Sequence, residues 1–425
     1  MEGLQKWMVK LRRDLHRYAE AGWFEFRTTS VIAETLEELG YEVLVGKEII
    51  DEESVMGRDE SAISGQKKRA LDQGAREKWL QKMGDYTGAL GILETGKPGP
   101  VVTLRFDIDA VEVNEVQDES HRPFREGFSS VNAGAMHSCG HDGHTAMGLG
   151  LAKVLAQKKG SLTGRVNLVF QPAEEGARGA KAIVEKGLLD DTDFFVGMHL
   201  GLGNPTGMIA AGAAGFLCTT KFDVKFHGRS SHAGVAPHEG RNALLAAANA
   251  ALNMHAIAPH GKGTSRVNVG VLEAGEGRNV IPPAAFMKAE TRGETEDIDA
   301  YMFDRASKVV SSSAAMYEVD CDIKIQGRGI AAESDEEMID LVEKAASGVD
   351  GVTEVQRYGK LGGSEDATWM MKRVQEKGGK ATYILLGSDI AAGHHNEYFD
   401  FDEACLSTGV RVLENLTEKV LAPGI

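Results

Sequence analysis

The chain has 425 residues, 42% hydrophobic and 26% charged, with a formal net charge of −16. That length implies about two or three domains with sizeable cores, and that balance excludes a disordered or membrane-embedded chain. The excess of acid opposes non-specific attraction to nucleic acid or anionic lipid. The cysteines (139, 218, 321 and 405) are scattered with no C-x-x-C pair, so no disulfide framework is expected. The first residues lack the apolar stretch of a signal peptide, and a cytoplasmic protein is expected.

Leu4, Met8, Leu11, Leu15 and Tyr18 recur at helical spacing, and Val31, Ile32, Thr35, Leu36 and Leu39 repeat the pattern until Gly40. A short strand is predicted over 41–45. Residues 46–86 are then charged and Gly-punctuated, with a helical stretch over 67–83, and read as an insertion. A solvated excursion and a role in shaping the substrate entrance are about equally compatible with it.

From Gly88 onward, short apolar strands are predicted at 88–93, 101–106, 166–170, 194–197 and 382–386, with helical stretches between several of them. That alternation predicts an α/β layer with a buried, largely parallel sheet. Beyond Thr219 the pattern changes to β-α-β-β-α-β, predicting a small ferredoxin-like domain inserted into the larger one. The Ala-rich run 243–258 is interrupted by Asn249, Asn253 and His255, so it reads as a buried helix and not a membrane span. The expected domains are 1–217 and 331–425 for the catalytic part and 218–330 for the inserted one.

Residues 136–146, MHSCGHDGHTA, hold three histidines, a cysteine and an aspartate among small residues. Burying such a cluster is costly unless its members are paired or bind a metal. Cys139 and His141 suit zinc, manganese or cobalt. His137 and His144 fit hydrogen-bonding roles better than ligation. Asp107 and Asp109, Glu174 and Glu175, His199, and His394 and His395 all follow predicted strands, at the carboxyl ends where open α/β sheets bind ligands. The adjacent carboxylates of Glu174 and Glu175 would need a cation nearby, and one can ligate while the other takes a proton from water. Two alternatives stand beside this reading. Glu174-Glu175 can be a solvated helix end, and Cys139 can be a nucleophile activated by a histidine.

The motifs RFDIDA (105–110), MHSCGHDGHTA, FQPAEEG (170–176), GMH (197–199) and HNEYF (395–399) resemble those of the M20 metallopeptidases, in their amidohydrolase branch. The insertion, the run 121–128 and the stretch 391–397 narrow the resemblance to hydrolases of p-aminobenzoyl-glutamate. The resemblance implies a metal-dependent exopeptidase-like domain with a lid or dimerisation domain. It also implies two divalent metal ions (Mn2+, Zn2+ or Co2+) on Cys139, His141, Glu175, His199 and His395, with Cys139 bridging. Glu174 would be the general base, Asp109 would orient a ligand, and His232, from a neighbouring subunit, would stabilise the oxyanion. Asn279 and Arg292 would hold the substrate's carboxylate, a task that suits the planar fork of arginine. The implied activity is hydrolysis of N-acyl amino acids by a homodimer or a heterodimer with a related subunit. The alternative is a metal-binding regulatory subunit that needs a partner for turnover.

Overall fold

The computed structural model describes residues 2–422; Met1 and 423–425, which the expected catalytic-domain bounds take in, lie outside the described residues. The chain divides into two compact units, Met1–Ala214 with Ala332–Leu361 and Asp366–Ile425, and Gly215–Ala331 with Gly362–Glu365.

The first unit is built on eight strands: β1 (Glu42–Val45), β2 (Ala89–Glu94), β3 (Val101–Asp107), β4 (Arg165–Gln171), β5 (Phe194–Leu200) and β6 (Met208–Ala214) come from its first stretch. With β7 to β10 assigned to Cys218–His227, Ser265–Ala274, Ala284–Gly293 and Asp320–Gly329 of the second unit, β11 (Glu354–Lys360) and β12 (Lys380–Leu386) complete it. The sheet order is β1-β2-β4-β3-β5-β12-β6-β11. Its centre, β4-β3-β5-β12, is parallel throughout, and β11 is parallel to β6. Antiparallel pairs join β1 to β2, β2 to β4 and β12 to β6. The central strands are apolar and buried along nearly their whole length, as expected where both faces are covered.

The helices Glu2–Arg17, His141–Lys158 and Cys405–Val420 pack on one another, and His141–Lys158 lies across β3, β4 and β5. Close approach to the sheet depends on Gly148, where a Cβ would come within 2.7 Å of both Phe106 and Phe170. In the second unit the order β10-β7-β9-β8 is antiparallel throughout, and the helices Ala243–His255 and Glu296–Met316 connect β7 to β8 and β9 to β10.

Two features depart from the sequence-based expectation. The helical stretch 67–83 is two helices, Ile63–Asp72 and Glu77–Met83, because Gly74 takes φ 98° between them and the Arg76 amide donates to Ser30 Oγ at 2.8 Å. Strands β6 and β11 were not signalled: β6 reads MIAAGAA, poor in β-branched residues, and β11 is a polar, largely exposed edge strand.

Candidate metal centre

Because β4, β3, β5 and β12 are consecutive parallel neighbours, their carboxyl ends share one edge of the sheet. Asp107 ends β3, and Asp109 follows two residues later. Glu174 and Glu175 lie in the turn after β4, His199 is the penultimate residue of β5, and His395 sits in the connection after β12. Cys139 and His141 arrive from the turn that begins the 141–158 helix. Gly140 there takes φ 87°, and its missing Cβ leaves room for Leu200.

All five predicted ligands and Glu174 fall into overlapping groups whose donor atoms lie within 4.8 Å of one another: Cys139, His141 and His199; Cys139, Glu175 and His395; and His141, Glu174 and Glu175. Cys139 Sγ is 3.4 Å from His199 Nε2, and His395 Nε2 is 3.3 Å from Glu175 Oε1. The ring tautomers follow from the partners. His141 Nδ1 donates to the Asp109 carbonyl at 2.9 Å, and His199 Nδ1 donates to the Leu200 carbonyl at 2.8 Å, so each presents Nε2 to the cluster. His141 Nε2 is buried and has no hydrogen-bond partner among the described residues.

Neighbouring groups are already engaged. His144 donates from Nδ1 to Asp107 and accepts the Leu200 amide on Nε2 at 2.9 Å. His394 Nε2 accepts the Leu202 amide at 3.0 Å, while its Nδ1 lies 3.5 Å from Cys139 Sγ. The hydrogen-bonding role expected of His137 is not met: neither ring nitrogen has a partner among the described residues. Burial drives its pKa down to about 3, which keeps the desolvated ring neutral.

Electrostatics separate the cysteine readings. Burial first, then the charge of Glu175, holds the Cys139 thiol well above its ordinary range. Without a cation it is not a thiolate, which argues against a free cysteine nucleophile. Burial pushes His199 well down, aided by His144 and His394, and favours a neutral imidazole. Burial also opposes charge on Asp107, yet His141, His144 and Arg105 outweigh it and keep that carboxylate ionised.

Two buried acidic side chains organise the turn that carries Glu174 and Glu175. Asp109 accepts the amides of Glu174 at 3.1 Å and Glu175 at 2.9 Å, and its carbonyl holds His141. Glu25 accepts the Ala173 amide at 2.8 Å and the Thr87 hydroxyl at 2.5 Å; burial and the nearby Asp109 raise its pKa to about 8. Sequence reasoning missed Glu25, since one acidic residue before a helix carries no signal of a partner 148 positions away.

His232, Asn279 and Arg292 belong to the second unit. His232 and Asn279 are exposed neighbours there: His232 bridges Val280, and the Asn279 carbonyl accepts the Ala233 amide. Arg292, in β9, is paired through both arms of its fork with Glu290, at 2.9 and 3.2 Å.

Parallel strand ends presenting a Cys, His and carboxylate donor set define a metallohydrolase-like site. Residues 103–419 match the model of peptidase family M20/M25/M40, and the chain belongs to that family, a hydrolase of amide bonds. It is 50% identical to indole-3-acetyl-aspartic acid hydrolase of Enterobacter agglomerans, over 96% of this chain and 94% of that one. To a p-aminobenzoyl-glutamate hydrolase subunit of Escherichia coli (strain K12) it is 49% identical, over 95% and 93%. The crystal structure of aminobenzoyl-glutamate utilization protein from Klebsiella pneumoniae matches with a TM-score of 0.85 at 42% identity, over 100% of this chain and 98% of that one.

Proposed function

We propose that the chain hydrolyses the amide bond of N-acyl amino acids, with p-aminobenzoyl-glutamate the leading substrate, at two divalent metal ions (Mn2+, Zn2+ or Co2+). Cys139, His141, Glu175, His199 and His395 would hold them. The observation that carries this reading is the His141 imidazole, locked through Nδ1 while the buried Nε2 lacks a hydrogen-bond partner among the described residues. That nitrogen lies 3.8 Å from Asp107 and 4.0 Å from Glu175, too far for a hydrogen bond to either, a separation of donors that a cation between them would fill. The sulfur, nitrogen and oxygen donors around it fit those ions. Bound there, the ions supply Lewis acidity at the scissile carbonyl and lower the pKa of a water.

The chain's own residues do the rest. Cys139 would bridge the two ions; it is shared by the His199 and His395 groups, as Glu175 is by the His395 and Glu174 groups. Glu174, its amide held by Asp109, takes the water's proton and delivers it to the leaving nitrogen. Asp109 orients His141. The second unit acts as lid and dimerisation domain, His232 of a neighbouring subunit takes up oxyanion charge, and Asn279 and Arg292 receive the substrate carboxylate. The half-exposed Glu290 pair on Arg292 is worth no more than about 1 kcal/mol, so a substrate carboxylate exchanges for it at small cost.

The names of the two relatives at about half identity each join an aromatic acyl group to an acidic amino acid, which supports that substrate class. Four free cysteines support a reducing, cytoplasmic setting, and no helix among the described residues is long and apolar enough to cross a membrane.

Glu174→Gln is the test. With metal content unchanged, hydrolysis of p-aminobenzoyl-glutamate and indole-3-acetyl-aspartate should fall about 10²- to 10⁴-fold. An unmutated rate sinks the assignment. Activity of the metallated chain alone also rules out a regulatory subunit dependent on a partner.

A further inference from the structure

The insertion carries none of the groups assigned to the reaction, yet its first leg is fastened to the metal centre. Ile49 and Ile50 are buried, and the Asp51 amide donates to the Ala182 carbonyl at 2.9 Å. Farther along, two successive carbonyls are each taken by a side chain from outside the insertion. Trp23 Nε1 donates to the Met56 carbonyl at 2.7 Å, and Arg178 Nη1 donates to the Gly57 carbonyl at 3.0 Å. Arg178 Nε donates to the carbonyl of Glu175 at 2.8 Å. One guanidinium therefore joins the insertion to the backbone of a proposed metal ligand.

The surroundings leave little freedom for that fork. Trp23 is fully buried and takes φ 71°, a strained region for a bulky residue, of a kind that persists only where packing over-determines it. Beside it, a Cβ on Gly22 would collide with Arg178 Nη2 and come within 3.1 Å of Asp109 Oδ2. The turn itself is unusual: Ala173, Gly176 and Ala177 all have positive φ, at 53°, 93° and 59°. Asp109 and Glu25 hold the amides of residues 173–175, and Arg178 holds the carbonyl side.

We propose that the 46–86 insertion is a working part of the metal centre: its Gly57 carbonyl, positioned by the Trp23 bond to the preceding Met56 carbonyl, braces Arg178, and Arg178 sets the position of Glu175. Arg178 is thus a positioning residue. The planar fork matters because it donates to two carbonyls at once, where a lysine ammonium replaces at most one bond with the same geometry. The inference rests on Glu175 being a metal ligand.

The experiment measures binding of Mn2+ and Zn2+ to the full chain by competition with a coloured chelator, alongside thermal melting of the metal-free forms. Arg178→Gln should weaken the affected metal equivalent about 10- to 100-fold, the range found when groups that orient ligands are removed. Arg178→Lys should fall between Arg178→Gln and the unmutated chain, with metal-free melting little changed in both. Trp23→Phe, which drops the Met56 bond, should weaken binding in the unmutated background and add little to Arg178→Gln, because both act on one brace. Native affinity in Arg178→Gln overturns the proposal, as does full additivity with Trp23→Phe. Should Arg178→Gln not fold, Arg178→Lys carries the test, and native affinity there overturns it. Glu175→Gln distinguishes the ligand assignment from the brace. If it keeps native affinity, the ligand assignment falls and the inference with it; if it loses metal while Arg178→Gln does not, only the inference falls.

Discussion

Two buried polar clusters meet at the start of the 141–158 helix, where His141 belongs to one and its neighbour Asp142 to the other. On the Asp142 side the charges are matched within the chain. Arg12, fully buried, donates to Asp142 at 2.8 Å, Asp400 at 2.9 Å and Glu403 at 3.3 Å, and its guanidinium lies 4.3 Å from the centre of the Phe401 ring. His16 donates to Asp142 at 2.8 Å and Glu115 at 3.0 Å, and His121 reaches Glu115 at 2.8 Å. On the His141 side, sulfur and imidazole donors crowd together, and His141 Nε2 has no hydrogen-bond partner among the described residues. Two neighbouring clusters of ionisable residues thus serve opposite ends. The first cluster is completed by the chain and acts as scaffold, whereas the second is suited to completion by cations.

The largest effect expected from breaking this contrast is on the closed side. Arg12→Met should destabilise the chain by about 3–5 kcal/mol, because it strips the central cation from buried acids. Urea unfolding at neutral pH measures it. A loss under about 1 kcal/mol would mean that the acids find other partners and that the cluster is not a closed unit. Since the same arginine ties Asp142 to the loop carrying His395, folded Arg12→Met should also bind metal more weakly.

How much of this was legible in the sequence follows from how local each interaction is. Continuous apolar runs marked the central strands, and the residues after them marked where Asp109, Glu174, Glu175, His199 and His395 would gather. The spacing of residues 136–146 did not reveal that Asp142 faces an arginine 130 positions earlier. His144 is bound on both nitrogens and His141 on one, a difference set by Leu200, Asp107 and Asp109, all distant in sequence. Glu25 and Arg178 hold backbone atoms of the Glu174-Glu175 turn. A backbone partner leaves no pattern in side-chain composition, so such positioning residues become visible only once the chain is folded.

The closed cluster also predicts a pH dependence. Burial disfavours charge on His16, but hydrogen bonds to Asp142 and Glu115 outweigh it and raise its pKa to about 9. A folded pKa above the unfolded value of about 6.5 means that this stabilisation is complete below pH 6.5 and is lost as pH rises through 9. Glu115 is shifted the other way: burial alone would raise it, yet His121 and His16 hold it down at about 2. Its contribution is present above about pH 4.5 and fades as pH falls through 2. The stability difference between the unmutated chain and His16→Gln, followed by urea unfolding, should therefore shrink by roughly 3 kcal/mol between pH 6.5 and 9.5. A difference that stays constant across that window would show that His16 is neutral in the folded chain.

The smallest effect belongs to the open side and is reversible. A cation that binds only the folded chain stabilises it by about 2.7 kcal/mol at a hundredfold excess over its dissociation constant. Removing metal with a chelator should lower the melting temperature by that much free energy, and returning Mn2+ or Zn2+ should restore it. In Cys139→Ser, which replaces the sulfur shared by the His199 and His395 groups with a harder oxygen, the response should be much reduced if Cys139 is a ligand as proposed. Arg122→Ala, which removes a bond to the Phe401 carbonyl at 2.8 Å and the pairing with Asp400, should lower the melting temperature of the metal-free chain and, like Arg12→Met, reduce the metal response by loosening the loop that carries His395. If chelation leaves the melting temperature of the unmutated chain unchanged, His141 Nε2 holds no stabilising cation, and the two clusters do not differ in the way their hydrogen bonding implies.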